Sequence, residues 1–575
     1  MKKILLMMAI AALGLGACDE RPKPLAIDNA LTAEEIAAGR LTPEVMWKMG
    51  RAGSSSLSAD GSRLLYTVTH YNMAENRGVT AVYVQEMASG AVHQLTDFAS
   101  NNSSPAWSPD GSRIYFLSDR SGSSQVWVMD ADGGNATLVT GKGGSEGIPD
   151  VEGFGISPDG KHIWWVQGVQ PAGVAIRSSD RYKDMDKSKA RIYDDLMVRH
   201  WDYWDEGTYR HIFVGELGKG LVTSGRDIMP DAAWDAPLAP YFDMAEIAWN
   251  HAGTQLAYTC KPLTGTAYAV STDSDIFIYD LATGRTQNIC KPASRPTGET
   301  AAAGDMPGYD KYPVWSPDDS KIAFRSMRRA GNESDKERLF VYDCRTGRME
   351  DLTAEFDYNA MNVVWEGNDR LWFIAPIEAT HQICRVQVPS ATAEHPAAEV
   401  EVLTSGDHDI NAFTMGGGRI VAEMTKISMA TEFFDVNPED GRLTQISAIN
   451  KPIYDNIRMG EVQKRWVRTT DGKQMLTWVV LPPDFDPAKK YPVLLYCQGG
   501  PQSVVSQFWS YRWNLELIAS GGYVVVAPNR RGLPSFGQEW LDQISGDYSG
   551  QNIRDYLSAI DDVAAEPWAD RDRMG

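Results

Sequence analysis

Apolar and polar residues alternate in short runs from about Leu57 to Glu423, and the runs recur. The clearest are LSADGSRLLYTV (57–68), WSPDGSRIYFLS (107–118), ISPDGKHIWWV (156–166) and WSPDDSKIAFRS (315–326). Weaker copies occupy 249–260, 365–375 and 413–424. Each copy joins an apolar stretch to an alternating one through an Asp/Gly/Asn turn, the chemistry of a tight hairpin. Another strand follows most copies, as in VYVQEM (82–87) and LFVYDCRTG (338–347). A last one often ends in Leu-Thr, at Leu95-Thr96, Leu352-Thr353, Leu403-Thr404 and Leu443-Thr444. Self-similarity at about 50 residues with several strands per copy predicts a β-propeller, and the seven copies predict seven blades. Two sandwiches in series would lack this repetition. The spacing stretches after Ile156 and Trp249, where longer loops intrude. Ahead of the first blade, Thr42, Pro43 and Glu44 suit the cap, first position and first turn of a helix.

After about Gln463 the pattern changes. A hairpin turning at Asp471-Gly472 leads to a short buried-type strand, Val493 to Tyr496, which runs into Gly499-Gly500-Pro501. Helix-compatible residues from Trp509 to Ser520 precede a second buried-type strand, YVVVAPN (523–529), and then Arg530-Arg531-Gly532. A further helix spans Gln551 to Ala565, with Ile553, Tyr556, Leu557, Ile560 and Val563 at helical spacing. Strand–helix–strand–helix order predicts a parallel sheet. The expected domains are a signal peptide (1–17), a linker and helix start (18–45), the propeller (46–455) and a partial α/β domain (456–575).

A length of 575 residues exceeds what one core organises. The formal net charge of −21 argues against nucleic acid or anionic lipid as a main partner. Lys2-Lys3, the apolar run from Ile4 to Leu13 and small residues up to Cys18 form a targeting segment. Its end resembles a bacterial lipoprotein signal, with Cys18 as the acylated residue. Such a protein is exported and tethered, periplasmic or at the outer membrane. Five cysteines remain, with no CxxC pair, and buried thiols are expected over a Cys260–Cys290 disulfide.

Three motifs carry less chemistry than they suggest. Gly143-Gly144-Ser145-Glu146-Gly147 satisfies G-x-S-x-G, but lacks the strand and helix that a nucleophile elbow needs. Asp130-x-Asp132-Gly133 opens like a calcium loop without its later ligands. The nine histidines show no metal-binding spacing, so neither metal nor cofactor is expected. In the over-long connection RHWDYWDEGTYR (199–210), Asp205 and Glu206 are candidates for a substrate amine, against the plainer reading of a blade strand with exposed charges.

The motifs KKYPVLLYCQGGPQS, GYVVVAPNRRG, SGDYSGQNIRDYLSAIDDV and DRDRMG, behind a propeller, resemble the prolyl oligopeptidase family of serine peptidases. The nearest branch holds acylaminoacyl peptidases and bacterial dipeptidyl peptidases. The resemblance implies a seven-bladed propeller followed by the first half of an α/β-hydrolase domain. It also implies a serine exopeptidase that acts on oligopeptides through an acyl-enzyme, with the propeller gating access. Gln498, Gly499 and Gly500 then occupy the oxyanion-loop region, where Gln498 stands in place of the family's usual His or Tyr. The donor there is the Gln498 amide, a nearby backbone N–H, or neither. Arg531-Gly532 is read as architectural. The family's nucleophile lies in an elbow a few residues past Met574, with its Asp and His beyond, so the 575 residues are expected to lack the triad and to be inactive as they stand. A peptide-binding propeller lipoprotein and an esterase of the same fold are the alternatives.

Overall fold

The structure, a computed structural model, describes residues 23–142, 147–291, 306–389, 398–500 and 502–575. Cys18 with the targeting segment, and Ser145 with most of its glycine-rich loop, lie outside the described residues.

Strands from Arg51 to Gln445 form five four-stranded antiparallel sheets, one of eight strands and a two-stranded hairpin at 199–204. The eight-stranded sheet consists of two four-stranded halves, 361–402 and 409–445, joined only where His381 pairs in parallel with Asp409. Within each unit neighbouring strands follow one another along the chain, with only the 199–204 hairpin intervening between His162–Val169 and Tyr209–Glu216, so each unit is a meander. The repeated units in series make a β-propeller. The Asp/Gly turns supply the expected positive φ: Gly61 (71°), Gly111 (69°), Gly160 (70°) and, where the glycine is missing, Asp319 (59°). Each turn is braced alike, with Ser58, Ser108, Ser157 and Ser316 donating to Asp60, Asp110, Asp159 and Asp318 at 2.6–2.8 Å. The hydroxyls also accept an N–H five residues on, which closes the turn onto its second strand.

The Leu-Thr ends have a structural purpose. Thr96, Thr353 and Thr404 accept the backbone N–H of Val82, Leu339 and Ile383 at 2.8–2.9 Å. Thr444 does not, because Leu443–Gln445 is itself the outer strand; Ser447 takes that place and accepts from Phe433 at 2.7 Å. The first unit packs on the last through Leu57, Leu64 and Tyr66 against Val421 and Phe433. Ser55 N–H donates to Glu423 at 2.8 Å and Leu57 N–H to Thr414 at 3.1 Å across the same seam.

A five-stranded mixed sheet follows, in the order Val462–Arg468, Gln474–Val480, Val524–Pro528, Tyr491–Leu495, Ala569–Met574. The last three are parallel, as expected; Gln474–Val480 runs antiparallel both to them and to Val462–Arg468. Alternation along Val524–Pro528 sends Val524 and Val526 to one face, with Ala559 and Val563 of helix Gln551–Ala564. Val525 and Ala527 meet Leu515 and Ala519 of helix Leu515–Ser520 on the other. Each of these fully buried side chains contributes roughly 1.5–3 kcal/mol, less for alanine.

Two local expectations are corrected. The helix predicted from Trp509 starts at Leu515, where Asn514 Oδ1 caps it by accepting from Leu517 N–H at 2.8 Å. The inward face of Gln551–Ala564 is Asn552, Asp555, Tyr556, Ala559 and Val563, while Ile553 and Leu557 are exposed. Burial of Asp555, which holds Arg531, rotates the helix away from its purely apolar stripe.

Candidate active site

Loop geometry at the carboxyl end of the parallel strands follows from the residues beneath it. Strand Tyr491–Leu495 ends and the chain passes Tyr496 and Cys497 into Gln498-Gly499-Gly500. Gly500 has φ 122°, a region side chains rarely adopt, and a Cβ there would sit 2.9 Å from Ser503 Oγ. A Cβ at Gly499 would meet nothing within 4 Å, so the backbone of the loop faces open space. That is what close approach of a ligand to main-chain N–H groups requires.

The return of the loop is fixed by Asn529, fully buried just after Val524–Pro528. Its Oδ1 accepts from Val505 N–H and its Nδ2 donates to Val505 O, both at 2.9 Å. Trp478 Nε1 donates to the same carbonyl at 2.9 Å.

Arg530 and Tyr556 hold the loop from behind. Arg530 Nη2 donates to Gln498 O at 3.2 Å and Tyr556 Oη to the same oxygen at 2.9 Å. Arg530 Nε donates to Tyr556 Oη at 3.2 Å, and Nη1 to Arg531 O at 2.7 Å. A buried guanidinium therefore stands behind the Gln498–Gly500 backbone. Its field favours negative charge developing in front of the loop; at nearby Cys497 burial pushes the thiol up, and the Arg530 charge offsets only part of that.

Two consecutive arginines on 3% exposed positions need compensation. Arg531 obtains it from Asp471, at 2.5 and 2.6 Å, and from the fully buried Asp555, at 3.2 Å. Gly532, at φ 90°, leaves room for Ile544, whose Cβ would be 2.5 Å from an added Cβ. Arg531-Gly532 is thus a packing and ion-pair element, in line with its architectural reading. Arg530, Asn529 and Tyr556 were not singled out in the sequence. The available signal was the Arg-Arg pair directly after a buried strand, since two such charges demand partners nearby.

Strand Ala569–Met574 runs parallel beside Tyr491–Leu495. Leu495 N–H donates to Gly575 O at 2.7 Å and Gly575 N–H to Val493 O at 3.0 Å. The carboxyl end of this strand and the Gln498–Gly500 loop therefore emerge from the same edge of the sheet.

The candidate amine contacts lie elsewhere, on the 170–208 insertion of the third sheet. There a small hairpin, Arg199–His200 with Tyr203–Trp204, stands apart from the blade, and Trp201 is 82% exposed. Glu206 pairs with Arg191 and, at 3.6 Å, with Arg177. Asp205 Oδ1 accepts from Gly207 N–H at 2.7 Å. Among the described residues no hydrogen bond or ion pair links this insertion to Gln498–Gly500. The thiols of Cys260 and Cys290 are buried and unbridged.

Comparison with known proteins agrees with this architecture. Residues 29–191 match a TolB beta propeller domain and residues 509–575 the prolyl oligopeptidase family. The chain is 40% identical to a dipeptidyl-peptidase 5 of Porphyromonas gingivalis over 575 residues, all of this chain and 78% of that protein. It is 35% identical to a dipeptidyl-peptidase 5 of Porphyromonas endodontalis, over 95% of this chain and 75% of the other. Among solved structures, Pyrococcus horikoshii acylaminoacyl peptidase superposes with a TM-score of 0.70 at 17% identity, covering 93% of this chain and 74% of that one. A puromycin hydrolase does so at 0.63 and 15% identity, covering 96% and 76%. The two solved structures share the fold.

Proposed function

Since the chain belongs to the prolyl oligopeptidase family of serine peptidases, we propose that it carries the gate and oxyanion loop of an exported dipeptidyl peptidase acting on oligopeptides. One observation carries the reading: strand Ala569–Met574 and the Gln498–Gly500 loop share an edge of the sheet. In an α/β-hydrolase the nucleophilic serine stands on the turn after such a strand, next to the N–H groups that receive the oxyanion. On this reading, serine Oγ adds to the scissile carbonyl and its proton passes through histidine to the leaving amine. The serine ester that remains is then hydrolysed. The open backbone at Gly499, with Arg530 behind it, stabilises the tetrahedral oxyanion.

The propeller is read as seven blades in a ring. The seam between the first and last units supports this, and such a ring would admit short peptides and exclude folded proteins. Names of the relatives favour removal of dipeptides. A free substrate amine is assigned to Asp205, because Glu206 is already held by two arginines while Asp205 spends one oxygen on Gly207. Cys18 is proposed as the lipid attachment point of a cell-envelope protein.

The full-length enzyme should be assayed against free-amine dipeptidyl amides, N-acylated single-residue amides and peptides blocked at both ends. Free-amine dipeptidyl amides are expected to turn over fastest, with a raised KM in Asp205→Ala and little change in kcat. Preferential cleavage of doubly blocked peptides would overturn the exopeptidase assignment. An equal KM in Asp205→Ala would remove the amine contact alone.

A further inference from the structure

The segment that leads out of the Gln498–Gly500 loop is held at three consecutive residues, and by two different domains. Val505 is pinned to the α/β core by Asn529 and Trp478. The next two residues turn to the propeller. Ser506 Oγ donates to Asp409 Oδ2 at 2.5 Å, and Gln507 Oε1 accepts from Ile427 N–H at 3.3 Å. Ser506, Gln507 and Asp409 are all buried, so water does not compete for these contacts. A short hydroxyl-to-carboxylate bond is among the stronger hydrogen bonds of a protein.

Asp409 occupies a special place in the propeller. It opens the first strand of the last unit, Asp409–Gly416, and pairs there with Thr425 of its own unit. It also makes the parallel bridge to His381 that joins the two halves of the eight-stranded sheet. The side chains of that pair meet as well, with His381 Nδ1 3.2 Å from Asp409 Oδ1. One oxygen of the carboxylate thus faces the propeller joint and the other the α/β domain. Asn102 opens the first strand of the second sheet in the same way, and stays at home: its Oδ1 accepts from Ser118 and Arg120 of that sheet and the loop after it. In the last unit the hydroxyl corresponding to Ser118 is Thr425, which instead accepts from Asn411 Nδ2 at 3.2 Å. Asp409 is thereby left to reach across the domain boundary.

The loop hangs between two supports. Arg530 and Tyr556 hold Gln498 O on one side, and the Val505–Gln507 anchor holds the other. We propose, on the oxyanion role given above for this loop, that Asp409 is a positioning residue for it, acting through Ser506. The loop then keeps its working shape only while the last propeller unit is seated on the α/β domain. Asp409 touches no reacting atom. Its effect is geometric, and a shift of ~1 Å in such a site can cost ~10²-fold in rate. Local sequence pattern does not reveal the contact, since its two residues lie 97 positions apart.

The test uses the full-length enzyme and leaves the buried carboxylate in place. Ser506→Val and Ser506→Thr add the same bulk, and only threonine keeps the hydroxyl. Ser506→Val is expected to lower kcat on a free-amine dipeptidyl amide at least ~10-fold, with KM within about twofold. Ser506→Thr should recover most of that loss. A second readout needs no turnover: the alkylation rate of exposed Cys497, beside the loop, followed on its own peptide by mass spectrometry. It should rise several-fold in Ser506→Val and not in Ser506→Thr. Equal changes in the two variants would trace the effect to packing and overturn the role of Asp409. So would an unchanged alkylation rate in Ser506→Val. Faster alkylation with kcat unchanged would leave the Asp409 contact standing and overturn the oxyanion role of the loop instead. With an inactive parent the proposed function falls, and alkylation alone decides on Asp409.

Discussion

Arg531 and Asp555 share three hydrogen bonds: the Asp555 carboxylate accepts the Arg531 backbone N–H at 3.0 Å and the guanidinium Nε and Nη2 at 3.2 Å each. Both side chains are essentially out of water. The pair ties the end of strand Val524–Pro528 to helix Gln551–Ala564, and so sets the height of the Arg530–Tyr556 pair under the Gln498–Gly500 loop. Removing one partner strands the other. Asp555→Ala should lower stability by ~3–5 kcal/mol, as for other broken buried pairs. Denaturant unfolding followed by tryptophan fluorescence measures this, and Asp555→Asn should recover part of the loss.

Arg530 is expected to act on rate rather than on binding. In the full-length enzyme Arg530→Met should lower kcat by roughly 10-fold or more with KM nearly unchanged, since its charge serves the oxyanion and not the ground state. A change confined to KM would place Arg530 with substrate binding.

Two glycines with the same φ separate conformational strain from the seam. Gly111→Ala meets only Arg63 Nη2 at 3.9 Å and should cost ~1–2 kcal/mol for its left-handed backbone. Gly61→Ala meets that strain and also places a Cβ 2.4 Å from Gly416 O of the last unit. Thermal melts should show a clearly larger drop in Tm for Gly61→Ala.

Buried Glu516 predicts weakening toward alkaline pH. Burial raises its carboxyl from the usual 4.5 to about 7, against the Gly460 N–H it accepts at 2.9 Å. A raised carboxyl contributes stability that is complete below pH 4.5 and is lost as pH climbs through about 7. Glu246, also held up to about 7 by burial, adds to the same slope. Tm should therefore fall between about pH 5 and 8. Glu516→Gln, which keeps an acceptor for Gly460, should flatten that fall and melt above the parent at pH 8.

Lipidation has a direct readout. Cys18→Ala should abolish incorporation of labelled fatty acid and move the protein from the membrane to the soluble fraction. Continued labelling would exclude Cys18 as the acceptor.

Repetition made the propeller legible before any coordinates. The Asp-Gly turns recur because the hairpin needs a positive φ at one fixed position, and Asp319 shows the need persisting where glycine is absent. The Gln498–Gly500 loop was legible as a tight turn with an open backbone because Gly499 and Gly500 follow a buried strand. Less visible were the residues that hold it. Arg530 reaches Gln498 across 32 residues and Asp555 reaches Arg531 across 24, and no local periodicity encodes such pairings. The face of helix Gln551–Ala564 was misread for the same reason: an acidic residue points inward when its partner is already buried there.

Among the described residues no β-ladder crosses the seam between the first and last units of the propeller. What spans it is side-chain packing, hydrogen bonds such as Ser55 N–H to Glu423 and Gln85 Nε2 to Ile446 O, and residues of the other domain: Trp509 packs with Met49 and Ala430, and Tyr511 has its ring centroid 3.8 Å from the Arg51 guanidinium. The α/β domain thus fastens the first unit to the last. A displacement of that domain would therefore loosen the contact between the first and last units as well.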